Sequence, residues 1–253
     1  MKKMGLTLIA VLLLVAGAAH SDESQSQFHQ ANQLYEQGEY AKAVEVYEGI
    51  LSDGKESWQL YFNLGNTYYK LNQTGNAILN YESALKLNSE NQDIRFNLQL
   101  ANLSTVDRIP EPPKAEWIQW METIVNALSL STLVWLTIGL YACLLIIVSL
   151  QNLKQEMATS SSVRMLRQFL IPVLAVATIW FGYRWYKFET EAYAIVLQQK
   201  VSVSSSPTTN STEVFELHEG TKVRIEQSTD TWAKIRLQDG KVGWLRTSAL
   251  GMI

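Results

Sequence analysis

The spacing of apolar and polar positions changes character several times along the 253 residues. The chain opens with "MKKMGLTLIAVLLLVAGAAHS", two lysines followed by an apolar core that ends in small residues. From about residue 21 to 108, apolar residues recur at intervals of three and four, which predicts amphipathic helices. Two long runs without a polar face come next, over 131–150 and 169–187. From residue 190 the period becomes two. "TKVRIEQS" and "WAKIRLQ" alternate, and Asp239-Gly240 joins the second to "KVGWLR", a hairpin signal. About 60 residues with about five short strands predict a small all-β barrel.

The opening pattern, over 1–20, is that of a secretory signal peptide, with Ala16-Gly17-Ala18 as the cleavage site. An uncleaved anchor helix is the other reading. Either delivers the segment from residue 21 onward across a membrane. The run "STLVWLTIGLYACLLIIVSL" is long enough for a hydrocarbon core of ~30 Å at ~1.5 Å per residue. The next, "FLIPVLAVATIWFGYRWYKF", ends in aromatic rings suited to the headgroup level, where Arg184 and Lys187 can snorkel. Pro172 is tolerable in a membrane helix. The linker over 151–168 carries Lys154, Arg164 and Arg167 against Glu156, which places it in the cytoplasm, as Lys2 and Lys3 place the N-terminus. Arg184 and Lys187 weigh against this orientation, but less than the other two ends weigh for it. Both polar regions then face outward. Over 109–130, a linker leads into "EWIQWMETIVNAL", with Trp117, Trp120, Met121, Ile124 and Leu128 on one helical face. That helix either lies on the membrane surface or covers the preceding domain.

Within 21–108 the chain repeats itself. "YFNLGNT" at 61–67 and "RFNLQLA" at 95–101 share Phe-Asn-Leu at a spacing of 34. The same shift brings Phe28 onto Phe62, Tyr35 onto Tyr69, Ala43 onto Ala77 and Tyr47 onto Tyr81. A 34-residue period means stacked helix-turn-helix units. Gly38 and Asn72 mark the turns, since both types accept the left-handed conformation. Two full copies and one further first helix are marginal for a solenoid. Support from the Trp117 helix or from a second chain is therefore expected. The inner face carries Phe28, Phe62 and Phe96 in a row. Asn32 and Asn66 form one file and Asn63 and Asn97 another, with Lys70 beside them. Asn pairs with the backbone of an extended peptide, and Phe takes its apolar side chains. The face is thus either a peptide groove or packing for the last helix.

Charge and composition narrow the chemistry. The stretch 21–114 holds 13 acidic and 7 basic residues, and 189–253 holds 8 and 7, so neither has the basic face that nucleic acid needs. Cys143 is alone, and His20, His29 and His218 are far apart, which gives no expectation of a disulfide or a zinc site. No phosphate-cradling loop, nucleophile elbow or H-E-x-x-H motif occurs. The sequence predicts no enzyme activity, no cofactor and no metal.

The 34-residue units resemble the tetratricopeptide repeat family, carried best by Leu64, Gly65, Tyr68, Ala77, Tyr81 and Ala84. Ser89 stands where that family usually has proline. Relatives that clamp a terminal carboxylate place basic residues where this chain has Phe28, Asp93 and Asn97, which argues against such a ligand. The stretch from Ala192 to Leu250 resembles the bacterial SH3 domain, through "EGTKV", "WAKIRLQDG" and "GW" in that order. Serines replace the arginine and asparagine that many members carry after the first strand. Trp232 and Trp244 are candidate ligand contacts, or structural rings. The expected architecture is a multi-domain membrane protein with an all-α tetratricopeptide array, two transmembrane helices and an SH3-like barrel over 190–253.

The order of these parts resembles the BatE family of the Bacteroides aerotolerance (Bat) system. That resemblance implies an inner-membrane protein with both soluble modules in the periplasm. Its partners would be von Willebrand A-type membrane proteins of the same system and, indirectly, a MoxR-type ATPase. It implies a contribution to oxidative stress resistance. Two hypotheses arise. One is a membrane-bound adaptor whose two outward modules share an anchor, so that a partner touching both gains effective concentration. The other is a cell-wall sensor whose SH3 domain grips peptidoglycan peptides while the array recruits a hydrolase or its regulator.

Overall fold

The computed structural model describes residues 24–110, 113–153 and 160–253. The signal pattern over 1–20 lies outside the described residues, as do Lys154 and Glu156 of the linker. The chain forms two compact units, one from the stretch up to Glu111 together with Ala192–Ile253, the other from Pro112–Glu191.

The first unit begins with helix α1 through 24–36. It continues with α2 (Tyr40–Ser52), α3 (Trp58–Lys70), α4 (Thr74–Leu87) and α5 (Gln92–Leu103). The turns fall where the repeat places them: Gly38 has φ 79° and Asn72 φ 57°. Ser57 caps α3 by accepting the Leu60 amide at 3.1 Å, and Asn91 caps α5 by accepting the Asp93 and Ile94 amides. Residues matched by the 34-residue shift occupy the core: Ala43 with Ala77, Tyr47 with Tyr81, all buried. Gly65 sits where α3 meets α4. A Cβ there would lie 2.8 Å from the Tyr81 ring, so the close crossing requires glycine.

The barrel has seven strands in the order β3-β2-β6-β5-β4-β1-β7, all antiparallel. They are β1 (Ala192–Val196), β2 (Lys200–Ser204), β3 (Glu213–His218), β4 (Lys222–Ser228), β5 (Trp232–Arg236), β6 (Val242–Arg246) and β7 (Leu250–Met252). Inward positions alternate as the period of two requires: Ala233 and Ile235 on β5, Gly243 and Leu245 on β6. The sequence suggests about five strands. The additional ones, β1 and β7, carry no alternation, because β1 is a short apolar run buried along its second half and β7 has only three residues.

Those two strands pair with each other and lie against α4. The array and the barrel therefore share one packed body. Ile195 of β1 is fully buried in the core of the array, with Leu197 and Ile253 beside it. Ile109, just beyond α5, packs in return on the core of the barrel. Gly75 on α4 comes so near β1 that a Cβ would lie 2.9 Å from the Val196 carbonyl oxygen. Polar groups close the junction. Asp107 accepts from the His218 amide at 2.7 Å, the His218 Nδ1 at 2.9 Å and the Thr221 hydroxyl at 2.6 Å. Lys222 meets Glu82 at 2.7 Å. The barrel gives the short solenoid support along its α4 flank.

The second unit contains α6 (Glu116–Asn126), α7 (Leu130–Leu153) and α8 (Ser161–Thr190). The last two are long and apolar enough to cross a membrane. They pack on each other and bury Leu133, Leu170 and Ala177, while side chains such as Trp135 and Ile179 are left 72% exposed. Helix α8 runs through Pro172. Arg167 donates to Gln151 at 3.1 Å. On α6, Trp117, Trp120, Met121 and Ile124 are exposed. Leu128 lies past its end. The Trp180 indole donates to the Val125 carbonyl at 3.0 Å, and Arg184 donates to Asn126, so the C-terminal turn of α6 is tied to α8.

Candidate functional site

The inner face of the array is built from α1, α3 and α5, the first helix of each copy. Its asparagines form a repeated lattice. Asn32 Oδ1 accepts from the Tyr47 hydroxyl at 2.6 Å and from Asn63 Nδ2 at 2.9 Å. Thirty-four residues on, Asn66 Oδ1 accepts from the Tyr81 hydroxyl at 2.8 Å and from Asn97 Nδ2 at 2.8 Å. Each lattice thus ties the second helix of one copy to the first helices of two. Burial pushes the Tyr47 hydroxyl up to about 12, against a smaller lowering by Asn63. Burial pushes Tyr81 up as well. Both hydroxyls therefore stay protonated at neutral pH and act as fixed donors.

The phenylalanines divide. Phe28 packs on Tyr47 and Phe62 on Tyr81, each with ring centroids 6.0 Å apart. These two rings are partly buried and pack against the core of the array. Phe96 is 62% exposed, because the position that would supply the third tyrosine is Ala115.

Two adjoining hollows open on this face. One, of about 280 Å³, is lined by Asn32, Tyr35, Glu36, Tyr47, Asn63 and Asn66. The other, of about 260 Å³, is lined by Tyr35, Asn66, Tyr69, Lys70, Tyr81, Asn97 and Leu100. Of the residues expected from sequence, Asn32, Asn63, Asn66, Lys70 and Asn97 line the hollows, and Phe28, Phe62 and Phe96 do not. Sequence reasoning missed Tyr35, Glu36, Tyr69 and Leu100. The signal was available, since each of these comes three or four residues after an inner-face asparagine and so shares its helix face. Glu36 and Lys70 occupy equivalent places in successive copies, so the hollows offer an acid at one end and a base at the other. Hydroxyl, amide and ring surfaces between two opposite charges suit an extended peptide segment.

On the barrel, Trp232 and Trp244 stand on the outer face of β5 and β6, both partly exposed. Trp232 lies opposite Arg246, whose guanidinium carbon is 5.0 Å from the ring centroid, and Trp244 lies opposite Lys234. Among the described residues no cluster of His, Cys, Asp or Glu could hold a metal ion.

Comparison with known proteins agrees with this geometry in two places. No curated protein matches the chain. The family model of the tetratricopeptide repeat matches residues 58–91, the second copy, and that of the bacterial SH3 domain matches residues 201–251. Both families are typically non-catalytic interaction modules. The chain thus joins a tetratricopeptide repeat to a bacterial SH3 domain, with two helices of membrane-spanning length between them.

Proposed function

We propose that the chain is a membrane-anchored adaptor of an envelope complex, similar to BatE, with the array and the barrel both in the periplasm. The observation that carries this reading is the shared packing of array and barrel, which flank an apolar helix pair in the sequence. Ile195 in one core and Ile109 in the other support placing residues 110 and 192 on the same side of any membrane the pair crosses. The charge rule then favours the outer side. A partner that touches both modules meets a fixed surface rather than two tethered ones, so recognition benefits from preorganisation. The partners would be the von Willebrand A-type proteins of the Bat system, reached through the hollows, and the process would be tolerance of oxygen.

A photocrosslinker at Lys70 or Phe96 in intact cells tests the adaptor reading. The expected product is a membrane protein with a von Willebrand A-type domain. Crosslinks confined to lipid or to this chain itself would defeat it. Sidedness has its own test. In a Cys143→Ser background, Asn210→Cys should react with an impermeant maleimide in spheroplasts, and protection until lysis would reverse the orientation.

A second reading is a cell-wall sensor that recruits a hydrolase or its regulator through the array. The bacterial SH3 match and the two outward indoles favour it.

A further inference from the structure

Helix α6 carries an open apolar arc. Trp117, Trp120, Met121 and Ile124 fall on one face at intervals of three and four, and all are exposed, the two indoles by 64% and 67%. Ile118 and Val125 flank this arc, and no charged residue interrupts it. Gln119, Glu122, Thr123 and Asn126 occupy the opposite face, where Lys114 pairs with Glu122 at 2.8 Å. Among the described residues, neither the Trp117 nor the Trp120 indole N–H has an acceptor. The C-terminal end of α6 is fixed within its own unit. Only residues 127–129 separate it from α7, and Ser129 opens α7 by accepting the Thr132 amide at 3.2 Å. The bonds from Trp180 and Arg184 bind the last turn of α6 to α8. The end of α6, the entry of α7 and the Arg184 level of α8 therefore coincide. Beyond Arg184, α8 exposes the rings of Trp185, Tyr186 and Phe188. A cation followed by such rings marks the headgroup level of a membrane helix.

We propose that α6 lies in the headgroup boundary of the bilayer that α7 and α8 cross, with Trp117, Trp120, Met121 and Ile124 inserted among the ester groups and upper acyl chains of phospholipid. The proposal rests on the membrane-anchored part of the adaptor reading and decides between the two places that the sequence leaves open for this helix. Continuity favours lipid as the occupant, since the arc starts at the level where the apolar surfaces of α7 and α8 end. The indoles favour it too. Each needs an apolar contact for its ring and an acceptor for its N–H, and the ester level of a bilayer supplies both together. Residues 114–126 hold two acids and one base, so attraction to anionic headgroups adds nothing and zwitterionic lipid suffices. The arc alone holds the helix, because burying one large apolar side chain is worth about tenfold or more in partition. Laid in this way, α6 acts as a brace. A pair of spans can tilt and turn, and a third helix anchored at the boundary fixes both motions.

The test uses the full chain with Cys143→Ser in phosphatidylcholine nanodiscs, carrying one nitroxide-labelled cysteine at a time. Collision with oxygen, which concentrates in lipid, is compared with collision with a water-soluble nickel chelate. Met121→Cys should favour oxygen, and Gln119→Cys on the opposite face should favour the chelate. Adding Trp120→Gln/Ile124→Gln should shift the label at 121 toward water by about tenfold or more. The oxygen preference at 121 should be the same when phosphatidylglycerol is included. A preference that appears only with that lipid would replace the apolar contact by a charge contact and overturn the proposal. Ile138→Cys, exposed on α7, is the reference. If it favours the chelate, the membrane-anchored reading falls and this proposal with it. If Ile138→Cys favours oxygen while Met121→Cys favours the chelate, the anchor stands and α6 lies in water. A label at 121 shielded from both reagents would mean that protein, from this chain or a second copy, covers the arc, and would overturn the lipid.

Discussion

Asn66 serves two neighbours through one oxygen, and that determines what its removal does. Asn66→Ala leaves the buried Tyr81 hydroxyl without its acceptor, a loss of about 1–3 kcal/mol. A lower unfolding temperature by circular dichroism is the expected result. Capture experiments with that variant would therefore mix loss of fold with loss of ligand. Lys70→Ala tests the hollows without this fault, since its side chain lines one of them and stands at the surface, and stability should change by no more than about 0.5 kcal/mol. Asp107 gives a pH-dependent effect. Burial pushes its carboxyl up, but the bonds from Thr221 and from the His218 amide and ring, with the His218 charge, outweigh this and hold it below the ordinary 3.8. A carboxyl lowered on folding adds stability that is present above its ordinary value and lost as the pH falls through the folded one. Asp107→Asn should accordingly lower stability at neutral pH and flatten the acid limb of an unfolding profile, whereas an unchanged limb would exclude the clamp.

Helix pairing in the array was legible because it repeats. A shift of 34 residues finds Ala43 with Ala77 and Tyr47 with Tyr81, and the same shift describes the hydrogen-bond lattice. Gly65 illustrates how narrow the fit is. Gly65→Ala places a methyl 2.8 Å from the Tyr81 ring and 3.3 Å from the Ala77 carbonyl oxygen. Overpacking of this kind costs about 1–3 kcal/mol, and a thermal melt should show it. Strands β4 to β6 were legible from alternation and a hairpin turn. Strands β1 and β7 were not, because β1 is an apolar run buried along its second half and β7 has only three residues. Phe96 stands exposed for a different reason. The repeat places it with Phe28 and Phe62, but their tyrosine partners come from a second helix that the third copy lacks.

At the scale of the whole molecule, the contact between array and barrel was hidden from the sequence. A non-local interface such as Ile195 in the array core obeys no spacing, and the two apolar runs between the modules suggest separation. The close approach at Gly75 provides the test. Gly75→Leu would drive a side chain into the Val196 backbone and Glu219. The expected outcome is a split of one cooperative unfolding transition of the soluble unit into two. A single transition at an unchanged temperature would mean that the modules do not depend on each other.

A body assembled from the beginning and the end of a chain has an order of manufacture. The ribosome completes the helical repeats first, and their α4 flank stays bare until the last sixty or so residues have been translated and have reached the same compartment. A protease cut between residues 153 and 161 would for the same reason release nothing. The two halves would co-purify, held by Ile195 and Ile109, and halves expressed as separate polypeptides should find each other and restore the unit.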